Sequence, residues 1–277
     1  MSGEDAAPPR PAATVVLLDG ESPPRILLLQ RHRKSGFMAR AHVFPGGRVD
    51  PEDAAPALLR RVAGVEAAAL GASMALEPTE AMAHLVAAVR ETFEEAGILL
   101  GRAAAEPASS LERWRERLNA REVAFAEMAE ACDLQIDGGA LSYFAHWVTP
   151  PIEPRRFDTR FFLARAPRGQ RGAHDGRETT ASVWLDARRA LEEHAAGRFP
   201  LAPPTWRILG DLAPGADAGD PIRRAAEAAS VQRIMPHAVQ EEGAFVLALP
   251  GDALHPETAG SAGRSRIVLR DGRWSED

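Results

Sequence analysis

Three carboxylates fall within five residues in the run Arg90-Glu91-Thr92-Phe93-Glu94-Glu95-Ala96-Gly97. At about 100° per residue, a helix brings Glu91, Glu94 and Glu95 within roughly a quarter to a third of its circumference, so the three acids share one face. Like charges at i,i+3 and i,i+4 cost a helix a few tenths of a kcal/mol per pair, so such a cluster calls for full solvation or a cation. Taken alone, a Glu-x-x-Glu-Glu run is more often a solvated surface. Oxygen-rich faces of this kind also hold hard divalent cations, which keep several waters and leave positions open for a substrate. The second reading gains weight from Phe44-Pro45-Gly46-Gly47-Arg48-Val49-Asp50-Pro51-Glu52-Asp53 upstream, where two glycines let the chain turn tightly or let a ligand approach its backbone.

The acids need a rigid element behind them. Leu85, Val86, Val89, Phe93 and Ala96 recur at three- and four-residue steps on the opposite side, which predicts a helix with one face in a core. Thr79, after Pro78, is the expected N-cap, and Gly97 stands where a helix C-terminus favours positive φ. Before the glycines, Thr14 to Leu18 and Arg25 to Gln30 are apolar runs separated by Asp19-Gly20-Glu21-Ser22-Pro23-Pro24, a hairpin with a loop. After the acidic helix, Trp114 to Ala131 reads as one amphipathic helix, and Leu141 to Thr149 with Phe157 to Arg165 as a strand pair. Val183-Trp184-Leu185 ends a further strand, and Asp186 is placed to cap a helix through about Ala196. Strands mixed with helices without strict alternation indicate an α+β fold.

Gly47, five residues, Asp53, and then Arg90-Glu91-Thr92-Phe93-Glu94-Glu95-Ala96-Gly97-Ile98 resemble the two halves of the signature of the Nudix hydrolases. Three departures stand out: Asp53 replaces the usual Glu, Thr92 replaces an apolar residue, and 36 residues separate Asp53 from Arg90 where the signature has seven. The inserted segment, 54–78, is alanine-rich with Leu58, Leu59, Val62 and Val65 at helical spacing, so it is expected to add a helix. An insertion at the surface adds little loop entropy. The flanking words Gly36-Phe37-Met38, His42-Val43-Phe44 and Arg155-Arg156-Phe157-Asp158-Thr159-Arg160-Phe161-Phe162 resemble the coenzyme A diphosphatase branch, comprising peroxisomal animal enzymes and bacterial relatives. The stretch Ile26-Leu27-Leu28-Leu29-Gln30-Arg31 stands where coenzyme A diphosphatases of the better-known bacterial type carry a different signature.

The resemblance implies the Nudix fold, a mixed β-sheet sandwiched between helices, and hydrolysis of a coenzyme A or acyl-coenzyme A diphosphate to 3′,5′-ADP and a 4′-phosphopantetheine fragment. Other nucleoside diphosphate derivatives, such as dinucleotides or nucleotide sugars, are the alternative substrates, and a non-catalytic nucleotide sensor is the alternative class. A diphosphate bridge is inert because water must approach a polyanion, so catalysis is largely charge neutralisation and positioning, which Mg²⁺ or Mn²⁺ supplies. Residue by residue, the resemblance makes Glu91, Glu94 and Glu95 the metal ligands, with Arg90 orienting a ligand carboxylate and Gly46 and Gly47 bringing backbone close to the substrate. The general base is open among Glu94, Glu95 and Glu178, while Asp53 is expected to orient the helix. Arg31, Arg33, Lys34, Arg155, Arg156 and Arg160 are the cations expected to hold phosphates, since arginine forks suit them. Lone histidines such as His42 and His84 are more often core or surface residues than ligands, and Trp147, Trp184 and Trp206 are more often core than adenine platforms.

The 277 residues carry a net charge of −6, which gives no bulk attraction to nucleic acid. The single Cys132 forms no internal disulfide, no run of eighteen apolar residues appears, and Met1 to Asp5 lacks the order of a signal peptide, so the expected setting is cytoplasmic, away from membranes. The expected organisation is a Pro/Ala-rich tail at 1–12, a hydrolase domain at 13–213 and a small β-rich extension at 214–277. In that extension Gln232 to Met235, Phe245 to Leu249 and Arg266 to Leu269 are short β-like runs that could also serve a homodimer interface.

Overall fold

The structure, a computed structural model, describes residues 7–20, 23–32, 40–104, 108–170, 172, 174–176, 179–213, 219–228, 230–241, 243–257 and 265–276. Arg33, Lys34, Glu178 and the Gly36-Phe37-Met38 word lie outside them, as does half of the N-terminal tail. The first half of the chain runs β1 (Arg10–Leu18), β2 (Arg25–Arg31), β3 (His42–Val43), β4 (Gly46–Arg48), α1 (Pro56–Leu59), β5 (Val62–Ala63), α2 (Ala67–Met74), α3 (Pro78–Ala96) and β6 (Gly101–Arg102). It continues through α4 (Ala108–Asn119), α5 (Phe125–Ala131), β7 (Gln135–Asp137), β8 (Ser142–Val148), β9 (Phe157–Arg165), β10 (Thr179–Asp186), α6 (Ala187–Ala195) and α7 (Pro203–Leu212). The last part is α8 (Pro221–Glu227), β11 (Arg233–Ile234), β12 (His237–Glu241), β13 (Ala244–Ala248), β14 (Arg266–Arg270) and β15 (Arg273–Glu276).

An eight-stranded mixed sheet forms the middle layer, in the order β10-β2-β1-β9-β8-β11, with β3 on β2 and β4 on β1. Its two central strands, β1 and β9, pair in parallel from Arg10↔Phe157 to Leu18↔Arg165. Both faces of the sheet are covered at its centre, which is why β1 and β2 read as apolar runs. Along β1, Ala13, Val15 and Leu17 pack toward α3, whereas Val16 and Leu18 pack with Trp206, Ile208 and Leu209 of α7 on the other side. The expected α+β class and the helix-sheet-helix layering are thus observed. None of the helices among the described residues is long and apolar enough to cross a membrane.

Helix α3 is the spine of one layer, with Leu85, Val86, Val89, Phe93 and Ala96 all at 2% exposure or less. Its N-cap is Glu77 rather than Thr79, because Pro78 takes the first helical position, where its missing N–H costs nothing. Gly97 closes the helix at φ 68°. Thr92 is fully buried and its Oγ1 has no hydrogen-bond partner. Replacing it with the isosteric valine is expected to raise stability by about 1 kcal/mol with activity unchanged, checked by urea unfolding, because a buried unmet hydroxyl carries its desolvation cost.

The insertion does not form the single helix expected of it. Val62–Ala63 leaves the helical path to pair with Ile136 and Asp137, β6 joins on the other side, and helix resumes only at Ala67. Nor is 114–131 one helix: α4 and α5 are separated by a turn in which Arg121 has φ 58°. Strands β8, β9 and β10 fall where expected, and the Asp186 carboxylate caps α6 by accepting from the Arg189 N–H at 2.9 Å. Residues 214–277 contribute β11 to the edge of the main sheet and a separate antiparallel sheet β12-β13-β14-β15, whose Leu247, Ile267 and Trp274 pack in the same cluster as α7.

Candidate active site

The acids sit on the last two turns of α3, the negative end of its macrodipole, where carboxylates are unfavourable unless offset. Part of the offset comes from α4. Arg115 donates through Nε to the Glu94 carbonyl at 2.9 Å and through Nη2 to that of Glu95 at 2.7 Å, and the Asn119 amide reaches the Glu94 carbonyl at 3.1 Å. These bonds satisfy the carbonyls that a helix end leaves without intrahelical partners.

A buried fork organises the side chains. Arg90, 8% exposed, donates to both oxygens of Asp53, 1% exposed, at 2.9 Å each, and to the Arg48 carbonyl at 2.9 Å. Its Nη1 reaches Glu91 Oε1 at 2.9 Å and Glu94 Oε2 at 3.4 Å. Asp53 is itself fixed by the Asp50 N–H, which donates to Oδ2 at 2.8 Å. Burial alone would lower the Arg90 guanidinium, but the Asp53 hydrogen bonds and the charges of Glu91, Asp53 and Glu94 outweigh it and hold it above its ordinary value. Burial pushes the Glu94 carboxyl up, against the opposing pull of Arg90. The two half-motifs, separated by 36 residues in sequence, therefore meet at Arg90, which forks onto Asp53 and also lies 3.7 Å from Asp50 Oδ2.

The glycines bring strand β4 against the acids. The Gly46 N–H donates to Glu95 Oε2 at 3.0 Å. Gly47 faces the Glu91 carboxylate so closely that a Cβ there would stand 2.5 Å from its carbon, whereas a Cβ on Gly46 would meet backbone atoms of Ala13 and Thr14 at 2.5–2.6 Å. Gly47→Ala is thus expected to keep the fold and displace Glu91, lowering kcat/KM by about 10- to 100-fold with little change in Tm. Gly46→Ala is expected to lose stability instead, so the pair separates the two roles when activity and melting are measured together.

These groups line a cleft of about 1100 Å³, shared by Glu91, Glu94, Glu95, Asp50, Arg31, Arg48, Arg121, Asp175 and an apolar wall of Phe44, Phe157 and Phe161. Among the described residues no three histidine, cysteine or acid side chains are gathered tightly enough to hold a metal ion unaided. The donor chemistry nonetheless suits Mg²⁺, which draws few protein oxygens and completes its shell with water and substrate phosphates. The space above Gly47, filled by a carboxylate, admits no side chain.

Of the expected phosphate-binding cations, Arg31 lines the cleft. Arg160 does not: strand alternation sends Phe157, Thr159 and Phe161 to the cleft and Arg160 to the opposite face. There it is 5% exposed, ion-paired to Asp158 at 2.8 Å. Arg156 is also structural, donating to the carbonyls of Thr149 and Ala7 at 3.0 Å, and the exposed Arg155 is not among the cleft residues. Arg48, Arg121 and the aromatic wall were missed. Alternation along β9 could have found the wall, and the place of Arg48 inside the glycine word could have found that residue.

Neither histidine considered in the sequence lines the cleft. His84 is buried with Nδ1 2.8 Å from the Glu80 carbonyl, and His42 stacks on Phe199 with ring centroids 3.5 Å apart. Burial lowers His42 from 6.5 to about 4, against a smaller opposing effect of the Pro200 carbonyl. Between those values the unfolded chain takes up a proton that the folded chain does not, so this contribution is complete above pH 6.5 and is lost as pH falls toward 4. A loss on the order of 3 kcal/mol is expected over that window from urea unfolding, flattened in His42→Phe.

A family model, the NUDT19 Nudix domain, matches residues 61–210. Acyl-coenzyme A diphosphatase NUDT19 of Gallus gallus is 30% identical, covering 91% of this chain and 78% of the relative, and that of Homo sapiens is 31% identical, covering 90% and 80%. Among solved structures, a NUDIX hydrolase from Alicyclobacillus acidocaldarius superposes with TM-score 0.62 and 29% identity, covering 82% of this chain and 99% of that one.

Proposed function

Because this chain belongs to the Nudix hydrolases, in the family of the NUDT19 Nudix domain, we propose that it hydrolyses the diphosphate of coenzyme A and acyl-coenzyme A. The products would be 3′,5′-ADP and free or acylated 4′-phosphopantetheine. The observation that carries the reading is the Glu91, Glu94 and Glu95 set at the mouth of α3, opening on a cleft wide enough for a nucleotide and its arm. The names of the similar animal proteins support the choice of substrate.

Glu91, Glu94 and Glu95 would hold the divalent cation, Mg²⁺ or Mn²⁺, which when bound neutralises phosphate charge and polarises an attacking water. Arg90 keeps Glu91 and Glu94 in register through its fork to Asp53. The Gly46 N–H orients Glu95. Phe44, Phe157 and Phe161 offer the apolar wall along which the non-phosphate parts of the substrate lie. Water activation falls to a carboxylate, with Glu94, Glu95 and Glu178 as the candidates. The base is the one whose Gln variant lowers kcat at unchanged KM and removes the acid limb of the pH–rate profile. Burial raises the Glu94 carboxyl above its ordinary value, the direction that favours a proton acceptor.

The substrate is tested by comparing kcat/KM for coenzyme A, acetyl-coenzyme A, NADH, ADP-ribose and diadenosine polyphosphates. Highest values for the two coenzyme A compounds are expected; turnover confined to the others would reassign the substrate, and binding without turnover of any would favour a sensor.

A further inference from the structure

Coenzyme A differs from most nucleoside diphosphate compounds in the phosphate at the 3′ position of its ribose, and on the coenzyme A reading a cation should meet it. Of the arginines lining the cleft, Arg90 is engaged by Asp53, Glu91 and Glu94, and Arg48 lies 3.8 Å from Asp50 Oδ1. Arg31 is half-buried at the end of β2. Arg121 is exposed, and its guanidinium makes no hydrogen bond or ion pair among the described residues.

The backbone around Arg121 gives this exposure a meaning. Helix α4 ends with the Arg121 N–H donating to the Leu118 carbonyl at 2.8 Å and the Glu122 N–H to that of Arg117 at 2.9 Å, a termination whose left-handed residue is usually glycine. Arginine occupies that place at φ 58°, so a side chain is retained where the backbone favours none. The position is also defined. Asn119 donates to the backbone carbonyl of Glu94 at 3.1 Å, Arg121 follows within about 7 Å of chain, and both line the cleft onto which Glu91, Glu94 and Glu95 open. A 3′-phosphate and a 5′-diphosphate share one ribose, so the group reading the first must stand beside the groups holding the second.

We propose that Arg121 is a specificity-determining residue that binds the 3′-phosphate of coenzyme A substrates, through the charge-assisted fork that guanidinium makes with phosphate.

The test measures kcat/KM for coenzyme A and for dephospho-coenzyme A, which lacks only that phosphate, in wild type, Arg121→Gly and Arg121→Lys. Wild type is expected to prefer coenzyme A. Arg121→Gly is expected to lose about tenfold on coenzyme A with dephospho-coenzyme A within about twofold, as for one charged hydrogen-bonding partner. Its Tm should stay at or above wild type, since glycine suits the backbone, and lysine should restore part of the preference. An equal loss on both substrates, no preference in wild type, or a selective loss in Arg31→Gln but not in Arg121→Gly would overturn the assignment. Failure of wild type to cleave either compound would instead overturn the coenzyme A reading beneath it.

Discussion

Glu94→Gln is expected to lower kcat by roughly 100- to 1000-fold while the protein melts at or slightly above the wild-type temperature. The side chain lies on the acidic face of α3 and accepts from Arg90 Nη1 at 3.4 Å, and burial disfavours its charge. On the proposed function Glu94 is a charged ligand of a cation that contributes several kcal/mol to the transition state, and its loss should cost about 3–4 kcal/mol of that, since each 1.4 kcal/mol is a factor of ten. The fold gains, because one of several crowded carboxylates at a helix C-terminus becomes neutral. The opposite signs distinguish a functional role from a structural one. Measuring Mn²⁺ affinity by titration calorimetry alongside kcat adds a second readout, expected to weaken in parallel. A variant with unchanged kcat and Mn²⁺ affinity would remove Glu94 from the site.

Asp53→Ala is expected to have the largest effect on stability, about 3–5 kcal/mol, because it strands the Arg90 guanidinium in the interior. Two of the strongest contacts of Arg90 go to this carboxylate, which is itself almost fully buried. Activity should fall as well, since the guanidinium that holds Glu91 and Glu94 loses its own anchor. The double variant Asp53→Ala/Arg90→Met should recover much of the stability and none of the activity, as replacing both partners of a buried pair with apolar groups is far less costly than removing one. Urea unfolding of the three variants measures this. Equal unfolding free energies for wild type and Asp53→Ala would show that the two half-motifs are not held together by this pair.

Helix α3 could be read from sequence because its apolar period, proline start and glycine stop all agree, and the acids lie on what remains. Strands β1 and β2 could be read because burial on both faces makes them apolar runs, and β8, β9 and β10 from the shorter apolar stretches within them. The insertion misled for a nonlocal reason: Val62 has helical spacing from Leu58 and Leu59, yet its partner is Ile136, seventy-four residues away. The break after α4 carries no glycine to announce it, since Arg121 takes the left-handed position. Strand β15 was announced and overlooked. Asp271-Gly272, with φ 50° and 74°, is the tight hairpin turn that joins β14 to β15. At the site, the shared acidic face followed from spacing, while the placing of cations did not, because an arginine gives no sign in sequence of whether it faces a cleft or a buried aspartate.

The most direct measurement is mass analysis of products after metal-stripped protein is incubated with acetyl-coenzyme A, with and without added Mg²⁺. The expected result is 3′,5′-ADP and acetyl-4′-phosphopantetheine in equal amounts, only when Mg²⁺ is present. Intact acetyl-coenzyme A under both conditions, or the same products without metal, would contradict cation-dependent cleavage of the coenzyme A diphosphate at the mouth of α3.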